Sequence, residues 1–235
     1  MEVEAAPLRR ALDAQPIATP AWAHGLPVQL ATARAASGRP NVVLAVNGRD
    51  PVTDAPCIGT TAAALTTQVV LNHGSIPVPD LVLTVGTAGG WARHESSIGD
   101  TFLAWPHFAC HDRRIDLPGL QAFGDGNLLA ADLRSHAEAL GCKTGVVTTG
   151  DSLDESDVDR ERILANGGVA KEMEAAAVAW VCHLHGVPVG GVKTITDLVD
   201  SDVSTPEQFM ANLAQASAAL EATTLGLLER LGGSE

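Results

Sequence analysis

Leu81-Val82-Leu83-Thr84-Val85-Gly86-Thr87-Ala88-Gly89-Gly90 decides how the rest of the chain is read. Residues 81–85 are a short apolar, β-branched run, the pattern of a buried strand. The glycine-rich run 86–90 reads as the turn that follows, where backbone can approach a ligand closely and aim N–H groups into a cleft. No Lys-Ser/Thr follows to make a phosphate-binding P-loop, and the glycine spacing is not the dinucleotide fingerprint. From these residues alone, a tight structural turn is as good a reading as a ligand cradle.

The same alternation extends in both directions. Residues 27–34 and 41–46 read as strands joined by a turn at Ala36-Ser37-Gly38-Arg39-Pro40. Residues 60–73 carry apolar positions at helical spacing, and Gly74 suits the residue just past a helix end. Phe102–Trp105 and Gly145–Thr148 read as strands. Residues 127–140 and 170–185 read as helices closed by Gly141 and Gly186. Pro188–Ile195 is a buried strand. Thr205 as N-cap, Pro206 at the first helical position and Gln208 in a capping box open a last helix that runs to about Leu231. Strands alternating with helices predict one α/β domain over residues 1–235, a three-layer α/β/α sandwich around a central mixed sheet. No internal repeat or linker interrupts it.

Composition narrows the function. The 235 residues are 46% hydrophobic and 18% charged, with a net charge of −13. That acidity argues against nucleic acid, which needs a basic footprint. No apolar run approaches the roughly 20 residues of a membrane span, and the acidic first residues lack the basic start of a secretory signal. Cys57, Cys110, Cys142 and Cys182 are scattered without a Cys-x-x-Cys. A cytoplasmic protein with reduced thiols is expected. His183 and His185 point to different sides of a helix, and His107 and His111 fall in strand and loop, so neither a metal nor any other cofactor is expected.

Glu172, Glu174 and Asp197 are the candidates for chemistry. The two glutamates are offset by two near the start of an alanine-rich helix, so they point in different directions, and acidic residues there can simply complement the helix dipole. Asp197 lies beyond Pro188–Ile195, at the end of a core strand, where α/β sheets form ligand crevices. Carboxylates beside buried runs are costly without a partner or a task. Together they suggest a site that holds sugar hydroxyls and passes a proton to a leaving group. The acidic run Asp151–Asp159 reads as a solvated loop or helix start, and Phe209 as core or as a cover for a base.

Thr-Val-Gly-Thr-Ala-Gly-Gly (84–90), Ile-Gly-Asp-Thr-Phe-Leu (98–103), His-Asp-Arg-Arg-Ile (111–115), Thr-Gly-Asp-Ser-Leu-Asp (149–154), Glu-Met-Glu-Ala-Ala-Ala-Val-Ala (172–179) and Thr-Asp-Leu-Val-Asp (196–200) occur in one order. In that order they resemble the 5′-methylthioadenosine/S-adenosylhomocysteine nucleosidases of the purine and uridine phosphorylase superfamily, the plant-type enzymes most closely. The resemblance implies hydrolysis of an N-glycosidic bond, releasing adenine from a 5′-thio-substituted adenosine in methionine salvage. It implies Asp197 as general acid at N7 of the base, Glu174 as acceptor for the ribose hydroxyls, and Glu4 as the residue that orients and activates water. Thr87, Ala88, Gly89, Met173 and Thr196 would line the base and ribose, the backbone of Leu153 and Asp154 would read the adenine edge, and Phe209 would close the pocket. A homodimer is implied, with a small-molecule nucleoside as the other partner.

Many phosphorylase relatives carry an arginine two residues before the first glycine of the 86–90 run, and here that residue is Thr84. Without a cation there a phosphate dianion lacks its donors, so water is the expected nucleophile. The alternatives are a phosphate-dependent nucleoside phosphorylase, a futalosine-type hydrolase and a non-catalytic storage member of the superfamily. The family has an apolar strand ahead of its Met-x-x-Glu. This sequence opens on that Met, so the expectation is a sheet without its first strand and a start assigned downstream of the natural one. Residues 116–127 are shorter than the plant segment, which leaves open the choice between methylthioadenosine and S-adenosylhomocysteine.

Overall fold

The computed structural model of the protein describes residues 1–36, 38–115 and 117–233. Helix α1 (Glu2–Ala11) leads into a small antiparallel sheet of β1 (Gln15–Ile17), β2 (Gln29–Ala33) and β3 (Val42–Val46). After α2 (Thr60–Leu71) come β4 (Val82–Gly90), β5 (Thr101–Cys110), α3 (Gln121–Asp125), β6 (Leu128–Leu129), α4 (Arg134–Leu140) and β7 (Lys143–Thr149). Then follow α5 (Asp157–Asn166), β8 (Gly168–Glu172), α6 (Ala175–Leu184), β9 (Val189–Leu198) and the long α7 (Thr205–Gly232).

The main sheet has the order β6-β5-β7-β8-β4-β9, and β5 also pairs with β9, so the sheet curls back on itself. It is mixed: β4 runs parallel to β9, while β5 and β9 are antiparallel. Alternation along the strands separates two cores, as a period of two requires. Phe102, Ala104 and Ile195 pack with Ala175, Ala176 and Ala179 of α6 on one side. Leu103 and Val192 pack with Leu220 and Leu227 of α7 on the other. Those faces make the three layers.

Several elements differ from the sequence reading. Gly86–Gly90 is not a turn but the second half of β4, and none of Gly86, Gly89 and Gly90 has positive φ. Residues 170–185 divide into the end of β8 and helix α6, because Gly168–Glu172 is paired with β7. Residues 127–140 divide into β6 and α4. Ser204, rather than Thr205, is the N-cap of α7, and the Gln208 side chain bonds the Leu198 backbone instead of closing a capping box. Of the turn at 36–40, Ser37 lies outside the described residues; Arg39 N–H donates to Ala36 C=O at 2.7 Å.

β3 pairs with β2 only, and β4 touches β8 only at Gly89. Among the described residues no strand lies between the free edges of β3 and β4. Val42, Leu44, Leu83 and Val85 line a cavity there, which is continuous with the site below.

Candidate active site

The site forms where β4, β8 and β9 end. β4 and β9 keep a regular parallel register from Val82↔Val189 to Ala88↔Ile195, and the next pair is Gly89↔Asp197. Thr196 is therefore an extra residue on β9, a bulge of the kind that re-aims the side chain after it. Asp197 is only 3% exposed. The Thr196 hydroxyl lies 2.8 Å from its Oδ1 and 3.2 Å from the Ala88 carbonyl oxygen. Burial pushes the Asp197 carboxyl above the usual range, and the Thr196 hydrogen bond and the Lys171 charge offset this only in part.

Two glutamates that are neighbours in sequence have different tasks. Glu172 ends β8 and turns its carboxylate onto the start of α6. It accepts from the N–H of Glu174 at 3.0 Å and of Ala175 at 2.9 Å, and from the Thr149 hydroxyl at 2.5 Å. It satisfies orphan donors of the helix, which is the dipole-complementing role. Glu174, at the N-cap position, is left to face the cavity and accepts the Gly59 N–H at 2.7 Å. Burial first, and the Glu172 charge second, raise its carboxyl.

Glu4 arrives from α1. Its Oε1 accepts both the N–H and the hydroxyl of Thr87 at 2.8 Å, and its other oxygen pairs with the Met1 ammonium group. Burial raises this carboxyl, and the two Thr87 donors oppose that rise.

Lys193 was not singled out by the sequence reading. Its ammonium is buried 2.9 Å from Glu172 Oε2 and 3.2 Å from the Thr84 hydroxyl. A Cβ on Gly86 would lie 3.5 Å from that nitrogen and 3.4 Å from Glu4 Oε1, in ordinary van der Waals contact with both. Burial lowers the Lys193 pKa, but Glu172, Glu174 and Glu4 outweigh it and the net shift is upward. The signal was available: Lys193 is the one cation inside the apolar run 189–195.

The cavity measures about 820 Å³ and is lined by Glu4, Glu174 and Asp197. Of the residues expected to bind substrate, all line it except Asp154, which is exposed. Met173 and Phe209 are half-buried at its wall. The Leu153 carbonyl is not free in the structure, since it accepts from Lys171 Nζ at 3.1 Å.

An α/β sandwich with this cleft belongs to a known class: the family model described as "Phosphorylase superfamily" matches residues 1–229. The 5′-methylthioadenosine nucleosidase of Arabidopsis thaliana is 36% identical over 233 residues, covering 99% of this chain and 85% of the relative. The apo structure of the Arabidopsis 5′-methylthioadenosine nucleosidase superposes with a TM-score of 0.92 at 34% identity, over 100% of this chain and 93% of the other. The futalosine hydrolase of Helicobacter pylori superposes at 0.76 with 20% identity, covering 98% and 94%, which is a likeness of fold alone. Within the superfamily, the chain belongs to the 5′-methylthioadenosine/S-adenosylhomocysteine nucleosidase family.

Proposed function

We propose that the protein hydrolyses the N-glycosidic bond of 5′-methylthioadenosine, releasing adenine and 5-methylthioribose. The observation that carries this is the meeting of three carboxyl groups around one cavity, with Asp197 buried at the end of β9 and pushed up, Glu174 facing the cavity, and Glu4 bonded to Thr87. A buried carboxyl that holds its proton is suited to be the acid.

In this mechanism the Asp197 carboxyl gives its proton to N7 of the base. The C1′–N9 bond breaks with its electron pair going to adenine, and the sugar becomes oxocarbenium-like. Glu174 accepts hydrogen bonds from the ribose hydroxyls and holds the sugar as charge develops. Glu4 takes a proton from water as the oxygen bonds to C1′. Proton transfers of this kind contribute about 10²- to 10⁴-fold each. A carboxyl at N7, which can also face the 6-amino group, favours adenine over 6-oxopurines.

The expectation that no cation stands near Thr84 is overturned. A cation does stand beside Thr84, because Lys193 donates to that hydroxyl. It is already matched by Glu172, with Glu4 and Glu174 close by. An acidic surrounding of this kind opposes a dianion, so water remains the nucleophile.

The protein works as a cytoplasmic homodimer in methionine salvage. Free cysteines fit a reducing compartment. Leu65 on α2 and Trp180 and Leu184 on α6, helices that pack against each other, are exposed and supply an apolar face for a second copy. Sedimentation of the purified protein tests the dimer.

The functional test is adenine release from methylthioadenosine, followed by chromatography in phosphate-free buffer and again with phosphate. Equal release in both, with free methylthioribose, supports hydrolysis. Release only with phosphate would make the protein a phosphorylase, and no release in either would overturn the reading.

A further inference from the structure

Gly89 has two partners in register. On β9 it faces Asp197, and on β8 it faces Lys171, so the three residues form one row across three strands. Residues in such a row project to the same side of a sheet. The middle member has no side chain, and Asp197 Oδ2 lies only 2.8 Å from where its Cβ would be, so the Asp197 carboxyl leans over the residue that separates it from Lys171. Lys171 is as buried as the rest of the site, at 5% exposure. Its ammonium donates to the Ser152 carbonyl at 2.7 Å and to the Leu153 carbonyl at 3.1 Å, and it has no carboxylate in ion-pair contact among the described residues. A buried charge satisfied only by neutral carbonyls is costly and calls for a reason.

We propose that Lys171 is a positioning residue for the proton donor: its ammonium pins the Ser152–Leu153 backbone at the cavity wall and, across Gly89, stabilises the carboxylate that Asp197 becomes once its proton has left. This rests on the general-acid reading of Asp197. The proton goes from Asp197 to N7, the glycosidic electron pair goes to adenine, and Lys171 keeps its own proton throughout. The charge that appears on Asp197 is thus met by a fixed cation that needs no rearrangement.

The groups around the pair are consistent with this. Lys171 is surrounded by Asp197 on β9, Asp154 and Glu155 ahead of α5, and Asp159 on α5, with Asp197 the strongest of these influences. His111, just beyond β5, is lowered to about 4 by burial first and Lys171 second, so it stays neutral. Asp197 in turn has the Thr196 hydroxyl and Lys171 as its neighbours of consequence.

The test compares Lys171→Gln, Lys171→Met and Lys171→Arg by the pH profile of adenine release. Gln keeps an N–H donor for the carbonyls but loses the charge, and Met loses both. Both should lower the plateau of kcat about tenfold and move the basic limb of kcat/KM upward by roughly one pH unit. Arg should restore the limb, and KM should rise in Met more than in Gln. An unmoved limb in the folded Gln variant overturns the proposal. If Gln and Met do not fold, the Lys171 Nζ resonance decides: its pKa must drop in Asp197→Asn, because coupling is reciprocal, and an unchanged value sinks the idea. That resonance also separates the two readings. Failure of wild-type protein to release adenine refutes the functional reading, while the coupling of Lys171 to Asp197 is still measured.

Discussion

Gly89 and Asp197 face each other across β4 and β9, and the first side-chain carbon at Gly89 would lie 2.8 Å from Asp197 Oδ2 and 2.9 Å from a Val199 methyl. The glycine is there for space, since its φ is not positive. Gly89→Ala should therefore move the carboxyl without unfolding the strand. A displacement of about an ångström at a reacting group costs on the order of 10²-fold. The expected result is a fall of that size in kcat with a melting temperature near that of the wild type. Undiminished kcat would mean that Asp197 is not held where the chemistry needs it.

Asp197→Asn removes the proposed proton donor but keeps the shape. Adenine release should fall by about 10²- to 10⁴-fold. Stability gives a second readout with a defined sign. The folded pKa of Asp197 lies above its unfolded value, so its contribution is full below the unfolded pKa and is lost as pH rises through the folded one. Asn carries no such loss. The melting temperature of the variant relative to wild type should rise as pH increases from the unfolded carboxylate range up through the folded pKa of Asp197, and a flat difference would show that burial does not perturb Asp197.

Strands β4 and β9 were legible because both are runs of β-branched and apolar residues, and the ligand crevice followed from the end of β9. β8 was not, because Lys171 and Glu172 look like surface residues and join an alanine-rich stretch with strong helical propensity. Only pairing with β7 and β4 makes them strand. The partition between Glu172 and Glu174 was half visible: an offset of two does send them different ways. The capping geometry that assigns Glu172 to α6 and frees Glu174 is tertiary. Helix α1 escaped because Pro7 and a thin apolar pattern hide it. Gly89 was noticed, but for turn chemistry, when its use is to admit the Asp197 carboxyl.

Glu174→Ala tests the ribose contact. Glu174 faces the cavity with one protein donor, the Gly59 N–H at 2.7 Å, which leaves acceptor capacity for the sugar. Activity should be lost by about 10²-fold or more, since the interaction strengthens with charge on the sugar. Methylthioadenosine analogues lacking the 2′- or 3′-hydroxyl should be poor substrates for wild type and lose less on the substitution. Equal turnover of the analogues and the parent by wild type would remove Glu174 from this role.

The Glu172–Lys193 pair should behave as a unit. Its members are 2% and 3% exposed by side chain and 2.9 Å apart, and Glu172 also caps α6. Removing one partner of a buried pair strands the other charge, at about 3–5 kcal/mol. Lys193→Met leaves Glu172 beside Glu174 without its ion-pair partner, and Glu172→Gln leaves Lys193 with a weaker partner. Each single variant should lose that much in denaturant unfolding. The double variant Glu172→Gln/Lys193→Met should be more stable than the sum of the two losses predicts, by a coupling of about 1–3 kcal/mol. Strict additivity would mean that the charges do not need each other, and that the argument for a balanced cation beside Thr84, on which the exclusion of phosphate rests, is mistaken.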